Sequence, residues 1–140
     1  MMENALLLDS SIAAHALGAD GPYKDACRLL LQRTAEAKVR AYASVEMIQE
    51  LVHHRMRITG NRRLAAMDGR DISAAATLLA FDRGVLDLSL DLIERFPTVR
   101  GRDAVHAATA IAYGIERIAS TDRAFDDIPG VTRVDPLTFG

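Results

Sequence analysis

The 140-residue sequence has no tryptophan, one cysteine and two lysines. No apolar run approaches the roughly 18 residues that a membrane span requires. The single cysteine, Cys27, excludes an internal disulfide and a cysteine-rich zinc cluster. Its setting in Ala26-Cys27-Arg28-Leu29-Leu30 predicts a buried helical thiol. The first residues lack the basic, apolar and small-residue regions of a secretory signal, so the expected location is cytoplasmic, with no membrane contact. An excess of one charge sign is missing too: 17 basic against 19 acidic residues leave a net −2. Bulk charge therefore does not mark a nucleic-acid binder, and any such site must be local. Aromatic side chains are few, three tyrosines and four phenylalanines, which leaves little for base stacking and favours recognition through shape and backbone. Internal repeats, low-complexity stretches and linkers are absent as well.

What is present fits one compact globular domain over residues 1–140 with a single core, since 49% of the chain is hydrophobic and 26% charged. Basic character is carried by arginine, 15 residues of the 17. Its fork suits phosphate and carboxylate, although genome composition can produce the same bias.

Ala5 to Leu8 is a continuous apolar run stopped by Asp9-Ser10-Ser11, the pattern of a buried strand delivering a polar loop. Ser10 and Ser11 can cap a helix from Ile12 to Leu17, closed by Gly18. A helix follows from Tyr23 to about Ala37, with Ala26, Leu29 and Leu30 on one face, and a strand from Val39 to Ala43. Ser44 opens a helix with Val45, Ile48, Leu51 and Val52 on its apolar side, ended by Gly60. Further helices are expected over Arg62 to Met67 and Ile72 to Ala80, then a third strand over Val85 to Leu88 and a helix over Ser89 to Phe96. The strongest helix is the alanine-rich Asp103 to Tyr113, closed by Gly114. Ile115 to Ala119 and Val131 to Val134 read as the last two strands. Strands alternating with helices imply a three-layer α/β/α domain around a mostly parallel sheet. Ligands of such sheets bind beyond the strands' carboxyl ends, where strand order reverses.

Three acidic residues stand where charge is locally expensive, and a fourth opens the strongest helix. Asp9 follows the first strand, Glu50 lies among Ile48, Leu51 and Val52, Asp103 opens the alanine-rich helix, and Asp122 follows Ile118-Ala119-Ser120-Thr121. Singly, each reads equally as a solvated cap or helix-face residue, and Asp103 is favoured by the helix dipole in any case. Together they form a set whose mutual repulsion, about 1 to 4 kcal/mol per pair at 4 to 6 Å, calls for protons or a cation. All-oxygen ligands select Mg2+ or Mn2+ over zinc and point to phosphoryl chemistry.

At these residues the chain resembles a known family, the PIN-domain ribonucleases, and among them the VapC-type toxins of bacterial toxin–antitoxin pairs. The matching segments are Leu6-Leu7-Leu8-Asp9-Ser10-Ser11, Met47-Ile48-Gln49-Glu50-Leu51, Arg102 to Ala110 with its Asp103-Ala104-Val105-His106 start, and Ser120-Thr121-Asp122-Arg123-Ala124-Phe125-Asp126. The resemblance runs from about Leu6 to Pro136. It implies an Mg2+- or Mn2+-dependent endoribonuclease, dimeric and held inactive by a VapB-type antitoxin, on a parallel α/β/α sandwich. Carried over, the catalytic metal ligands are Asp9, Glu50, Asp103 and Asp122. Ser10, Ser120 and Thr121 become neighbours that orient ligands or water, and Glu46 and Asp126 further candidates beside them. In the implied reaction water attacks the scissile phosphate in line, leaving a 5′ phosphate and a 3′ hydroxyl.

Other readings stay open. A PIN-like RNA- or protein-binding module without catalytic activity would keep the same fold. A receiver-like signalling module also gathers acids around magnesium but needs a late lysine, and none follows Lys38. Glu50-x-x-His53 and Asp103-x-x-His106 have the spacing of di-iron bundles, which are all-helical and need two further glutamates. His106 is expected to pack or hydrogen-bond beside the acidic site, and His53 and His54 to lie at a helix surface or near RNA. Arg55, Arg57, Arg62 and Arg63 form a candidate RNA track or a solvated face, and Arg100 and Arg102 are placed to steer phosphate.

Overall fold

The computed structural model describes residues 4–36 and 38–139. Among these, five strands form one sheet: β1 (Ala5–Leu8), β2 (Arg40–Ser44), β3 (Thr77–Leu79), β4 (Arg117–Ala119) and β5 (Thr132–Val134). Their order is β3-β2-β1-β4-β5, and every neighbouring pair is parallel. The helices are α1 (Ser10–Leu17), α2 (Lys24–Ala35), α3 (Val45–Thr59), α4 (Arg62–Ala75), α5 (Arg83–Arg95) and α6 (Gly101–Ala112), with a 3-10 turn at Arg123–Asp127. The Ala37 end expected for the second helix lies outside the described residues.

All four residues of β1 are buried, so both faces of the central strand are covered. The apolar residues accordingly divide into two clusters rather than the single core expected from composition. Ala5, Leu7 and Ile118 pack under α5 and α6, while Leu6, Leu8, Ala41 and Ala43 meet α1, α2, α3 and α4. Cys27 is fully buried in the second cluster, and burial pushes its thiol up to about 11, as an inert core group. None of these helices is long and apolar enough to cross a membrane.

Two expectations in the middle of the chain are corrected. Val85 to Leu88 is helix, not strand: Asp82 Oδ1 accepts a hydrogen bond from the Val85 amide at 3.0 Å and starts α5. Val85, Ser89 and Leu92 then fall on one buried face at i, i+4 and i+7. The third strand is instead Thr77–Leu79, inside the stretch expected to be helical, in register with Tyr42 to Ser44. It is a three-residue edge strand, too short and too exposed for alternation to mark it. The two helices expected on either side of residues 67–72 are one, capped by Asn61, whose Oδ1 accepts from the Leu64 amide at 2.9 Å.

A further correction concerns Arg55. It does not face a nucleic acid: it is 7% exposed and its Nε lies 2.9 Å from Asp68 Oδ2, tying α3 to α4. Breaking a buried pair by removing one partner leaves an uncompensated charge. Asp68→Ala is therefore expected to lower unfolding free energy by about 3 kcal/mol in urea melts, with Arg55→Met on the same background recovering much of the loss. An effect under about 1 kcal/mol would show the pair to be solvent-screened.

The strand order reverses beside β1, between β1 and β4. Leu8 pairs with Ala119, and the Asp9 amide donates to the Ala119 carbonyl at 3.1 Å. Whatever follows β1 and β4 therefore emerges side by side at the crevice.

Candidate active site

Asp9 is the residue between β1 and α1, 5% exposed, and its carboxylate sits at the positive end of that helix. Ser120, just past β4 and fully buried, donates from Oγ to Asp9 Oδ2 at 2.7 Å and accepts from the Asp122 amide at 2.9 Å. One hydroxyl thus fixes the first carboxylate and the loop that presents the last. Asp122 caps the 3-10 turn, its Oδ1 accepting from the Ala124 amide at 2.9 Å. Ser11 reinforces the same junction by accepting from the Thr121 amide at 3.2 Å.

Asp103 sits in the first turn of α6 and is 7% exposed. Glu50 projects from the middle of α3 and accepts a hydrogen bond from Ser10 Oγ on its Oε1. Asp9, Glu50, Asp103 and Asp122 line one cavity of about 420 Å3, together with Ser10, Ser11, Thr121, Arg100 and Arg102. Three helix or turn starts and the middle of α3 supply a set that no single segment contains.

His106 lies on the floor of the site, 1% exposed. Its Nδ1 is 3.3 Å from Ser44 Oγ, and Ser44 Oγ also accepts from the Met47 amide at the start of α3. Its Nε2 stands 3.6 Å from both Asp9 Oδ1 and Glu50 Oε1. Burial lowers its basicity, but the facing Glu50 and Asp9 carboxylates outweigh burial and hold its pKa above the usual imidazole value. Glu50 responds in the opposite sense. Burial pushes its carboxyl up, yet His106, the Ser10 hydroxyl and Arg102, whose Nε is 3.8 Å away, leave it below its ordinary value.

Asp103 has less relief, since only the His106 charge pulls its carboxyl down. Burial, reinforced by the charges of Asp122 and Asp9, pushes its carboxyl up to about 6. Its Oδ2 is buried without a hydrogen-bond partner. A crowded carboxylate set with an orphaned oxygen fits a hard divalent ion, which takes oxygen donors and tolerates few alternatives. Asp9, Glu50 and His106 also place ligand atoms within 4.8 Å of one another. The facing carboxylates favour the charged form of His106, which has no free lone pair, so the carboxylate oxygens are the better donors.

The remaining candidates divide. Ser10 and Thr121 line the cavity, as do Arg100 and Arg102, while Ser120 is buried behind Asp9 and bonded to it. Asp126 does not line it: it is exposed and held by Arg133, Nε to Oδ1 at 2.9 Å. Glu46 lines an adjoining apolar cavity rather than the acidic one. Arg57, Arg62 and Arg63 are exposed where α3 hands over to α4 and line neither cavity. His53 is exposed and His54 half-buried on α3, with burial and the neighbouring Arg57 and Arg55 depressing the pKa of His54. Sequence reasoning undervalued Ser11 and Ser44 as supports of the site. Their only signal was a hydroxyl where a strand hands over to a helix.

Comparison with known proteins agrees with this geometry. Residues 6–131 match the PIN domain. Ribonuclease VapC7 of Mycobacterium tuberculosis is 33% identical over 138 residues, covering 96% of this chain and 94% of that protein. Ribonuclease VapC13 of the same organism is 29% identical over 129 residues, covering 92% and 98%. Among solved structures, the M. tuberculosis sarcin-ricin loop cleaving toxin VapC20 superposes with a TM-score of 0.75 at 16% identity, covering 90% of this chain and 96% of that one. VapBC2 from Rickettsia felis, bound to a promoter DNA fragment, gives 0.73 at 14% identity, covering 93% and 97%. The structural likenesses carry the fold, and the sequence match carries kinship: the chain belongs to the PIN-domain family, alongside its VapC ribonucleases.

Proposed function

We propose that this protein is a divalent-metal-dependent endoribonuclease, the toxin of a type II toxin–antitoxin pair, acting from one domain over residues 1–140. The observation that carries the reading is the convergence of Asp9, Glu50, Asp103 and Asp122 on one cavity at the reversal of strand order. These four would hold Mg2+ or Mn2+. When bound, the ion polarises a phosphate oxygen and makes water a competent nucleophile at neutral pH.

The chain's own residues prepare that chemistry. Ser120 and Ser10 lock the carboxylates of Asp9 and Glu50 in place, and ligands held in this way bind metal more tightly. Arg100 and Arg102 stand at the cavity's edge and attract the RNA backbone without reading sequence. Arg57, Arg62 and Arg63 extend that attraction to phosphates further along the strand. Thr121 lies where a hydroxyl can orient water. The names of the relatives support an RNA substrate and a VapB-type protein partner, and the expected setting is the cytoplasm. A homodimer agrees with the exposed Leu86, Leu90 and Ile93, an apolar stripe along α5.

The test is incubation of purified, antitoxin-free protein with total RNA in Mg2+, Mn2+ or chelator, beside a folded Asp9→Asn variant. Cleavage that needs metal and disappears in the variant is the expected result, with 5′-phosphate ends. No cleavage with either ion would favour the binding-module reading instead.

A further inference from the structure

The acidic cavity has a neighbour. A second cavity, about 710 Å3, opens along α3 and α6 and shares Glu50 and Arg102 with the first. Its character is different: Val52, Met56 and Val105 supply apolar walls, and Glu46 supplies a carboxyl group. Glu46 occupies the first turn of α3, where the helix dipole suits an acid. The dipole does not explain why Glu46 Oε1 is buried with no hydrogen-bond partner. A buried acceptor left unpaired is costly, by roughly 1 to 3 kcal/mol, so Glu46 is short of a donor.

We propose that this cavity receives the guanine base of the nucleotide beside the cleaved bond, with Glu46 as the acceptor that selects it. The proposal rests on the ribonuclease reading, because the two cavities share Glu50 and Arg102 and a base in one is therefore chained to a phosphate in the other. Guanine offers two adjacent donors, N1–H and the N2 amino group, to the two oxygens of a carboxylate. Adenine and cytosine set one donor beside a ring acceptor that a carboxylate repels, and uracil sets one donor between two carbonyls. Unstacked bases read along this edge, against apolar walls, are the usual basis of sequence preference in single-stranded RNA. A cationic side chain from a protein partner would also satisfy Glu46. Arg102 lines the same cavity, however, and favours a neutral donor over a second cation.

The experiment has two readouts. Metal-free protein is titrated with guanosine, adenosine, cytidine and uridine 5′-monophosphates and followed by NMR. RNAs differing in the single base next to the cut are then cleaved by the metal-loaded protein. GMP is expected to bind about tenfold more tightly than the others, with shifts at Val52, Met56 and Val105. Glu46→Gln keeps the shape but presents one donor and one acceptor, so the guanine-to-adenine ratio should fall about tenfold in both binding and cleavage. A merely structural Glu46 would leave that ratio where it was, and an unchanged ratio overturns the proposal. Shifts produced more strongly by an arginine amide than by GMP overturn it in favour of a protein partner. Cleavage without any base preference overturns it while leaving the ribonuclease reading intact. Guanine-selective binding in a protein that cuts no RNA supports the pocket and overturns the ribonuclease reading instead.

Discussion

Asp103→Asn is expected to abolish RNA cleavage and, in the same protein, to raise the stability of the metal-free fold. The first effect follows from removing a charged oxygen from the proposed ligand set. Losing about 4 kcal/mol of charge stabilisation at the phosphate slows cleavage about a thousandfold. The second follows from crowding. Burial and the charges of Asp122 and Asp9 lift the Asp103 carboxyl from an ordinary 3.8 to about 6. A raised carboxyl pKa means that the folded state holds the proton more firmly than the unfolded chain does. Its contribution to stability is complete below about pH 4 and declines as pH rises, until it is gone above about pH 6. The full span is about 3 kcal/mol, so asparagine, which never ionises, should gain about 2 kcal/mol at pH 7.5 and almost nothing at pH 4. Urea melts in chelator at the two pH values measure this directly. An asparagine variant less stable than the parent at pH 7.5 would show that Asp103 is not strained by its neighbours. Added Mn2+ should reverse the ranking, because the ion relieves a repulsion that only the parent carries.

The acid set was legible because each member interrupts an apolar pattern. Asp9 ends a four-residue buried strand, Asp103 begins an alanine-rich helix and Asp122 follows a buried strand. Parallel strands send their carboxyl ends to one side, so the pattern already implied convergence. Glu50 needed the family resemblance, since an acid amid a helix's apolar face has no local reason to point at those strand ends. What sequence could not separate was the Ala76 to Leu88 region. Val85-Leu86-Asp87-Leu88 after Gly84 reads locally as a short apolar strand, but the side chains that decide lie further off: Asp82 as cap, Ser89 and Leu92 as continuation. The real strand, Thr77–Leu79, is fixed by pairing with Tyr42 to Ser44, a contact across more than thirty residues that no local window contains. Arg55 was misread for a related reason. An arginine in a basic run looks solvated until the partner carboxylate, Asp68 on the next helix, is brought against it.

His106→Ala should damage the metal-free protein more than any other single change at the site. His106 Nε2 is buried between Asp9 and Glu50, at 3.6 Å from each, where their carboxylates favour its charged form, and its ring also meets Ser44 Oγ at the start of α3. Removing it leaves the buried Asp9 and the half-buried Glu50 carboxylates facing each other, with Arg102, 73% exposed, near Glu50. An uncompensated buried charge of this kind costs about 3 kcal/mol. The sign with pH is opposite to that of a salt-bridged acid. A histidine whose folded pKa stands above 6.5 contributes stability in full below pH 6.5 and loses it as pH rises through the folded value. The deficit of the alanine variant should therefore be largest near pH 6 and shrink toward pH 9. A divalent ion in the cavity supplies the same countercharge from the other side of the carboxylates, so the imidazolium and the ion compete for one role. Mn2+ affinity of the parent should accordingly rise with pH above 6.5, as His106 gives up its proton. In His106→Ala that part of the slope disappears, and saturating Mn2+ restores more stability than it adds to the parent. Calorimetric Mn2+ titrations at pH 6 and 8.5 separate the cases. An affinity slope unchanged by the substitution would mean that His106 is a packing residue whose charge the carboxylates do not feel.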